Sequence, residues 1–384
     1  MTGARREAPP HLYLGTPFCR GVCAFCNFYK TDLRTYRRYF GEEGRFADAV
    51  RRELDLWMPE LPARLSTVYI GGGSPLELPD GSLLTLLRDL HRRFDLREAE
   101  ITVEANPSWP ADRAALESGL INRLSIGVQT FSPAGLSLLH RDKIPDPDFL
   151  NRVGALVENV SMDLLYDIPG MGESVVRDDL ERALAYGPKH LSWYGLEITS
   201  ENYRRRLPAP DPAAWEKQRG ILEAGLGAAG FHRYELSNWA REGWESRHNR
   251  AYWECKPYLG IGPAAWGQAV DGEGHPFRYL NTRHPGFWRD AVEGGKWPRE
   301  ETERLGTREL ANEFVFLSLR TTEGLDLGEY ERRFGEAFEV KFAPALGRLN
   351  PCFIKENGHF RLSERGALYY NTVCADLMIV EEPA

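Results

Sequence analysis

Three cysteines fall within eight residues, Cys19-Arg-Gly-Val-Cys23-Ala-Phe-Cys26, with C-x3-C-x2-C spacing. Thiolates are soft ligands and nucleophiles, so such a run points to metal or redox chemistry. Zinc sites usually pair two C-x2-C-type hooks, and the chain has no second hook. A redox pair at Cys23 and Cys26 would leave Cys19 without a task. A [4Fe-4S] cube held fully by protein takes four thiolates; three would leave one iron open to a small molecule. The other cysteines, Cys255, Cys352 and Cys374, are scattered and read as small buried apolar residues.

Four further stretches carry polar residues where strands end. Tyr69-Ile-Gly71-Gly72-Gly73-Ser74-Pro75 is a glycine run whose backbone can approach a ligand closely and offer N–H groups. It lacks the lysine and spacing of a P-loop. Glu104 closes an apolar run before Asn106-Pro107, Gln129 closes another after Ser125 and Gly127, and Asp163 lies inside a third. A lone acid in an apolar strand is commonly a structural hydrogen-bond partner. As a set, Glu104, Gln129 and Asp163 would line one mouth and could hold an amine, ribose hydroxyls and an adenine edge.

These residues need a scaffold. Up to about residue 230, apolar or β-branched runs at 11–15, 67–70, 100–105, 123–127, 160–168 and 189–198 read as strands. Amphipathic helical patterns fall between them, at 45–57, 82–94, 111–118, 146–157, 175–185 and 211–227. Six β/α units in a row predict a parallel sheet under helices, best read as an open, partial (β/α)6 barrel, with a doubly wound sheet as the alternative. In a barrel, chemistry sits at the carboxyl ends of strands, and the cysteine run directly follows the first one.

Residues 231–306 are rich in aromatic, Asn, Gly and Pro residues without a regular period, and read as a connecting segment packed on the barrel. Residues 307–384 turn helical again, at 309–319, 327–334, 343–349 and 363–377, around an Asn357-Gly358 hairpin signal. That order suggests an α+β, winged-helix-like module serving for docking or packing. The 384 residues carry a formal charge of -8, which argues against a nucleic-acid partner, and the basic run at 204–206 reads as a solvated face. No apolar stretch is long enough to span a membrane and the first residues lack a signal-peptide core, so a cytoplasmic location is expected.

Taken together, these motifs resemble the HemN/HemW-like family of radical S-adenosylmethionine (SAM) proteins. That family includes oxygen-independent coproporphyrinogen dehydrogenases, haem chaperones and class C radical methyltransferases. The resemblance runs through Pro17-Phe18-Cys19, Gly71–Pro75, Glu104 to Pro107, Ser125 to Phe131, His140-Arg141, Asp163 to Pro169, His190 to Tyr194, Tyr234 to Asn238, and His248-Asn249-Arg-Ala-Tyr252-Trp253. It extends to the tail from Arg308 to Leu377.

The resemblance implies a HemN-type C-terminal domain. It implies Cys19, Cys23 and Cys26 as ligands of a [4Fe-4S] cluster whose open iron binds SAM. It implies that one electron from the cluster cleaves the sulfonium to a 5′-deoxyadenosyl radical. Tyr13, Gly71, Gly72, Gly73 and Ser74 match positions lining SAM. Glu104, Gln129, Arg141 and Asp163 match further SAM-contacting positions, some belonging to a second SAM. His248 is the implied haem-ligand candidate, with a buried hydrogen-bond anchor as the other reading. An electron donor such as flavodoxin or ferredoxin is implied as a partner, with a haem or small-molecule ligand.

Phe28 stands where the dehydrogenases have a fourth cysteine, and their longer N-terminal arm is missing, which disfavours coproporphyrinogen oxidation. Gly15, Asn27, Asp167 and Trp266 depart from the chaperone pattern. They keep a class C methyl or methylene transferase, acting on an unsaturated small molecule or peptide, as the alternative to a haem-binding chaperone.

Overall fold

Alternation marks the six central strands. The computed structural model describes residues 11–21, 23–41, 45–79, 81–198, 204, 207 and 211–378. Its first strands are β1 (His11–Gly15), β2 (Thr67–Gly71), β3 (Glu100–Ala105), β4 (Arg123–Gln129), β5 (Asn159–Tyr166) and β6 (His190–Gly195). Leu12, Leu14, Val68, Ile70, Ile101, Val103, Leu124, Ile126, Val160, Met162, Leu164, Leu191 and Trp193 face one way, into a single apolar core under the helices. Successive side chains alternate across a strand. His11, Tyr13, Thr67, Tyr69, Thr102, Glu104, Arg123, Ser125, Ser161, Asp163, His190 and Ser192 therefore face the other way. Parallel strands covered on both faces normally read as continuous apolar runs. Here the second face is polar, which is what a lumen built to hold polar groups requires.

β1 through β6 pair in parallel in sequence order. The expected helices form over Arg45–Trp57, Ser82–Arg93, Pro147–Leu156, Glu173–Ala185 and Pro212–Ala228, with a short turn at Arg113–Leu116. Asp146 and Asp211 cap theirs by accepting the N–H of Asp148 and of Ala213 and Ala214. A helix at Leu33–Phe40 goes beyond the sequence expectation. Its charged run Arg34, Arg37 and Arg38 masks the stripe of Tyr36 and Phe40 that packs on Phe18.

The segment after residue 230 is more regular than its sequence suggests. It supplies β7 (His232–Arg233), β8 (Asn238–Ala240), β9 (Tyr258–Ile261), β10 (Trp266–Val270), β11 (Pro276–Asn281) and β12 (Arg299–Arg304). The strands are short and Gly and Pro punctuate them, so too few repeats exist for a period of two to show. They extend the sheet at both edges, in the order β12-β11-β10-β9-β1-β2-β3-β4-β5-β6-β8-β7. β9 runs parallel to β1, while β10, β11, β12, β8 and β7 pair antiparallel. The sheet is thus an open partial barrel.

From Thr307 the chain builds a second apolar core, with Phe314, Leu319, Leu325, Tyr330, Phe338 and Val373 at its centre. Strands Phe353–Glu356 and His359–Leu362 form the expected hairpin, with Asn357 at φ 51° and Gly358 at φ 78° as a two-residue turn needs. Leu325–Asp326 adds a third strand. The final helix breaks at Tyr369 into Glu364–Leu368 and Tyr370–Asp376. No helix among the described residues is long and apolar enough to cross a membrane. Arg205 and Arg206 of the basic run lie outside the described residues.

Candidate metal and cofactor site

The cysteine run leaves the sheet at the carboxyl end of β1 and is held from four sides. Phe18 is wholly buried among Tyr36, Phe40 and Phe46, with ring centroids 5.1 to 5.9 Å away. Phe18 and Cys19 pair with Thr31 and Asp32, which closes the run into a loop. The Ala24 N–H donates to the Leu139 carbonyl at 3.2 Å, and Phe25 packs on the small cluster of Leu139, Leu165 and Ile168. Arg20 forms an ion pair with Glu77, whose side chain is almost fully buried. All three cysteines are half-buried, and none forms a disulfide. Burial pushes the Cys19 thiol up to about 11, with the neighbouring Cys26 and Cys23 adding to the rise and a Ser74 hydrogen bond opposing it.

The glycine run lies against this loop because nothing larger fits. A Cβ on Gly73 would stand 2.3 Å from the Thr16 carbonyl oxygen and 2.7 Å from the Phe18 nitrogen. Gly72 sits at φ +85°, where a Cβ would meet the Tyr13 hydroxyl at 2.7 Å. The Gly72 N–H donates to Glu104 Oε2 at 2.9 Å and the Tyr69 hydroxyl to Glu104 Oε1 at 3.0 Å. Tyr13 and Tyr69 stack at 6.0 Å. Ser74 links the loops: its hydroxyl lies 3.9 Å from Cys19 Sγ and accepts from Asn106 Nδ2 at 3.3 Å. Burial pushes Glu104 up to about 7, against the pull of its two donors.

The far wall comes from β4 and β5. Gln129 ends β4 at φ +70°. The turn after it is clamped by the buried Asp179, which accepts from Thr130 Oγ1 and the Phe131 N–H, both at 2.7 Å. Arg141 donates to Cys23 Sγ at 3.3 Å and also to the Gly127 carbonyl. Asp163 accepts from Ser125 Oγ at 2.9 Å, and burial raises its carboxyl. Asp179, Asn106, Arg20, Glu77 and Tyr69 received no role from the sequence. Only Arg20, Asn106 and Tyr69 fall inside motifs, and the Arg20–Glu77 pair joins residues 57 positions apart.

His248 lies elsewhere. It sits on the helix Arg247–Trp253, which packs against β2, and it is 1% exposed. Its Nδ1 lies 2.6 Å from Thr67 Oγ1 and its Nε2 2.9 Å from the Tyr252 hydroxyl. Thr67 opens β2 and Glu100, which accepts the His248 N–H at 3.0 Å, opens β3. His248 therefore marks the amino ends of the strands, opposite the cysteines. Both ring nitrogens are engaged, and burial lowers the imidazole to about 3, so it is neutral. In this arrangement it is an anchor for the motif; ligation of an iron would require one of these bonds to break.

The donor set suits an iron–sulfur cube better than one ion. Zinc–thiolate bonds of about 2.3 Å bring sulfurs within roughly 4 Å of one another. Among the described residues, only Asp271, Glu273 and His275 have three candidate ligand atoms within 4.8 Å of one another, so the thiols are spread more widely. A cube takes each thiolate on its own iron, so its ligands do not have to converge on one point. The glycine run brings its backbone against the cysteine loop, so its N–H groups lie beside the place an open corner would occupy.

Comparison with known proteins agrees with this class. The model of the Radical SAM superfamily matches residues 13–211, and that of the HemN C-terminal domain matches 307–369. The chain is 34% identical over 346 residues to the heme chaperone HemW of Mycobacterium tuberculosis, covering 86% of this chain and 87% of that one. It is 31% identical over 388 residues to the heme chaperone HemW of Escherichia coli, covering 95% and 97%. The crystal structure of the radical SAM enzyme coproporphyrinogen III oxidase (HemN) from Escherichia coli shares the fold, with TM-score 0.79 over 97% of this chain and 91% of that one, at 20% identity. The chain belongs to the radical SAM superfamily and, within it, to the HemW-like family.

Proposed function

We propose that this protein is a haem-handling radical SAM protein of the chaperone type. Its cluster would be held by Cys19, Cys23 and Cys26, and SAM would lie against Tyr13, Gly71–Ser74 and Glu104, with Gln129, Arg141 and Asp163 around the same mouth. The observation that carries this reading is the apposition of the glycine run to the cysteine loop at the carboxyl end of β1. When bound, the cluster supplies one electron to the sulfonium of SAM. The chain's own part is to orient and shield. Gly72 and Tyr69 fix the Glu104 carboxyl, which offers a hydrogen-bonding edge to a ligand amine or ribose. Arg141 places an N–H on Cys23 Sγ, and such hydrogen bonds tune a cluster. Phe18 and Phe25 keep water from behind the loop.

A reducing cytoplasm, with a flavodoxin- or ferredoxin-type donor, is the setting that three exposed-edge thiols require. The haem role rests on similarity to the HemW chaperones, and haem titration tests it. The anaerobically reconstituted chain is expected to bind haem stoichiometrically, and His248→Ala separates two routes. Loss of binding with an unchanged melting temperature would make His248 a ligand. Unchanged binding in a destabilised variant would make it the anchor its hydrogen bonds describe. No haem binding by the wild type would overturn the chaperone reading.

A further inference from the structure

Two adjacent inward-facing residues, on neighbouring strands of the lumen, hold buried polar atoms without partners. Thr102 on β3 and Arg123 on β4 are direct cross-strand partners, 0% and 2% exposed. Thr102 Oγ1 and Arg123 Nε have no hydrogen-bond partner. No described residue forms an ion pair with the Arg123 guanidinium, and the carboxylates of this region take their hydrogen bonds from other groups, Asp163 acting on Arg123 only through space. Asp163 is tied to Ser125 Oγ at 2.9 Å. Both Glu100 oxygens accept backbone N–H groups, from Arg247 and His248, at 3.0 Å. Glu104 is tied to Gly72 and Tyr69. A buried guanidinium left alone is expensive, and a buried hydroxyl without a partner adds to the cost. Chains retain such pairs where something absent from the polypeptide completes them.

The geometry points to a binding site for a small monoanion of halide size inside the barrel, held by Arg123 and Thr102. The guanidinium can only donate and the Thr102 hydroxyl can donate beside it, so a ligand that meets both is an acceptor. The nearby imidazoles of His190 and His248 are neutral, since burial lowers both. Arg123 is then the one fixed positive charge among these lumen residues, and the Asp163 carboxylate acts on it through space without an ion pair. The wall is completed by Tyr69, beside Thr102 on β2, whose ring stacks on His248 at 5.2 Å. Thr102 lies two residues below Glu104, about 7 Å along the strand. The anion site is thus separate from the cysteine mouth and closer to the amino ends of the strands.

Bromide is the probe. Crystals of the reconstituted full chain grown in sodium bromide are expected to show an anomalous peak within hydrogen-bonding distance of Arg123 and Thr102. In solution, bromide titrated at constant ionic strength against gluconate should raise the melting temperature saturably. Thr102→Val, which keeps the side-chain shape, should shift the half-saturating concentration upward by about tenfold. Arg123→Gln should abolish the response. If Arg123→Gln does not fold, Thr102→Val still decides the matter. Ordered water alone at the site, or the same bromide response in wild type and Thr102→Val, would overturn the assignment.

Discussion

Among single residues, the buried carboxyls give the sharpest expectation. Glu53, on the helix Arg45–Trp57, is fully buried and accepts from the Gly262 N–H at 2.8 Å, Trp288 Nε1 at 2.8 Å and Asn281 Nδ2 at 2.5 Å. Burial nevertheless pushes it up to about 7 from an ordinary 4.5. A raised carboxyl binds its proton more tightly folded than unfolded. Stability therefore falls as pH rises from about 4.5 through 7, by about 3 kcal/mol in all. Chemical denaturation at pH 5 and at pH 7.5 should show a fall to which Glu104, raised to about 7 as well, also contributes, and Glu53→Gln should make that fall smaller by its own share whatever its effect on absolute stability. At this scale the sequence disclosed chemistry wherever types and spacing were local. The three cysteines, the glycine run and the carboxylate of Glu104 each announce themselves in a short local motif, although they meet one another only across the fold. Glu53, Asp179 and the Arg20–Glu77 pair stayed hidden, because each meets its partner only across the fold.

Elements explain why the glycine run cannot be varied. β2 delivers Gly71 to Ser74 between the start of the cysteine loop and Glu104, and at Gly73 the obstacles are backbone atoms of Thr16 and Phe18. Backbone cannot swing aside as a long side chain can, so Gly73→Ala must displace one strand end. It should lower stability by about 2–3 kcal/mol and sharply reduce iron retained after anaerobic reconstitution. A variant with full iron and an unchanged melting temperature would show that the loop is more pliant than its packing implies. Strands β1 to β6 were readable because their outward residues are apolar and bounded by turns. The edge strands β7 to β12 were not, since two to six residues with Gly and Pro between them carry no usable period. Asp167 shows a related effect: it holds φ +59°, a left-handed conformation that glycine adopts without strain.

For the whole molecule, the question is how the C-terminal module is fastened. Arg320 reaches back to Glu235, with Nε 2.9 Å from Oε2, and lies over the Trp253 ring at 4.6 Å. The Glu235 side chain is fully buried. The two atoms are close without hydrogen-bond alignment, so their attraction is chiefly coulombic. Arg320→Ala would strand a buried carboxylate and should destabilise the chain by about 3 kcal/mol, read by urea denaturation. Arg250 with Glu323 and Arg233 with Glu364 are more exposed pairs across the same junction, and their loss should matter far less. The module was legible as helices around one strong turn, whereas its fastening depends on pairs far apart in sequence.

The account stands on the cysteine trio, and electron paramagnetic resonance of the anaerobically reconstituted, dithionite-reduced protein tests it most directly. Wild type should carry about four irons per chain and show a reduced-cluster signal that changes shape when SAM is added, because SAM occupies the open corner. Cys19→Ala, Cys23→Ala and Cys26→Ala should each lose it. A signal indifferent to SAM, or a chain that takes up a single zinc ion and no iron, would contradict the account.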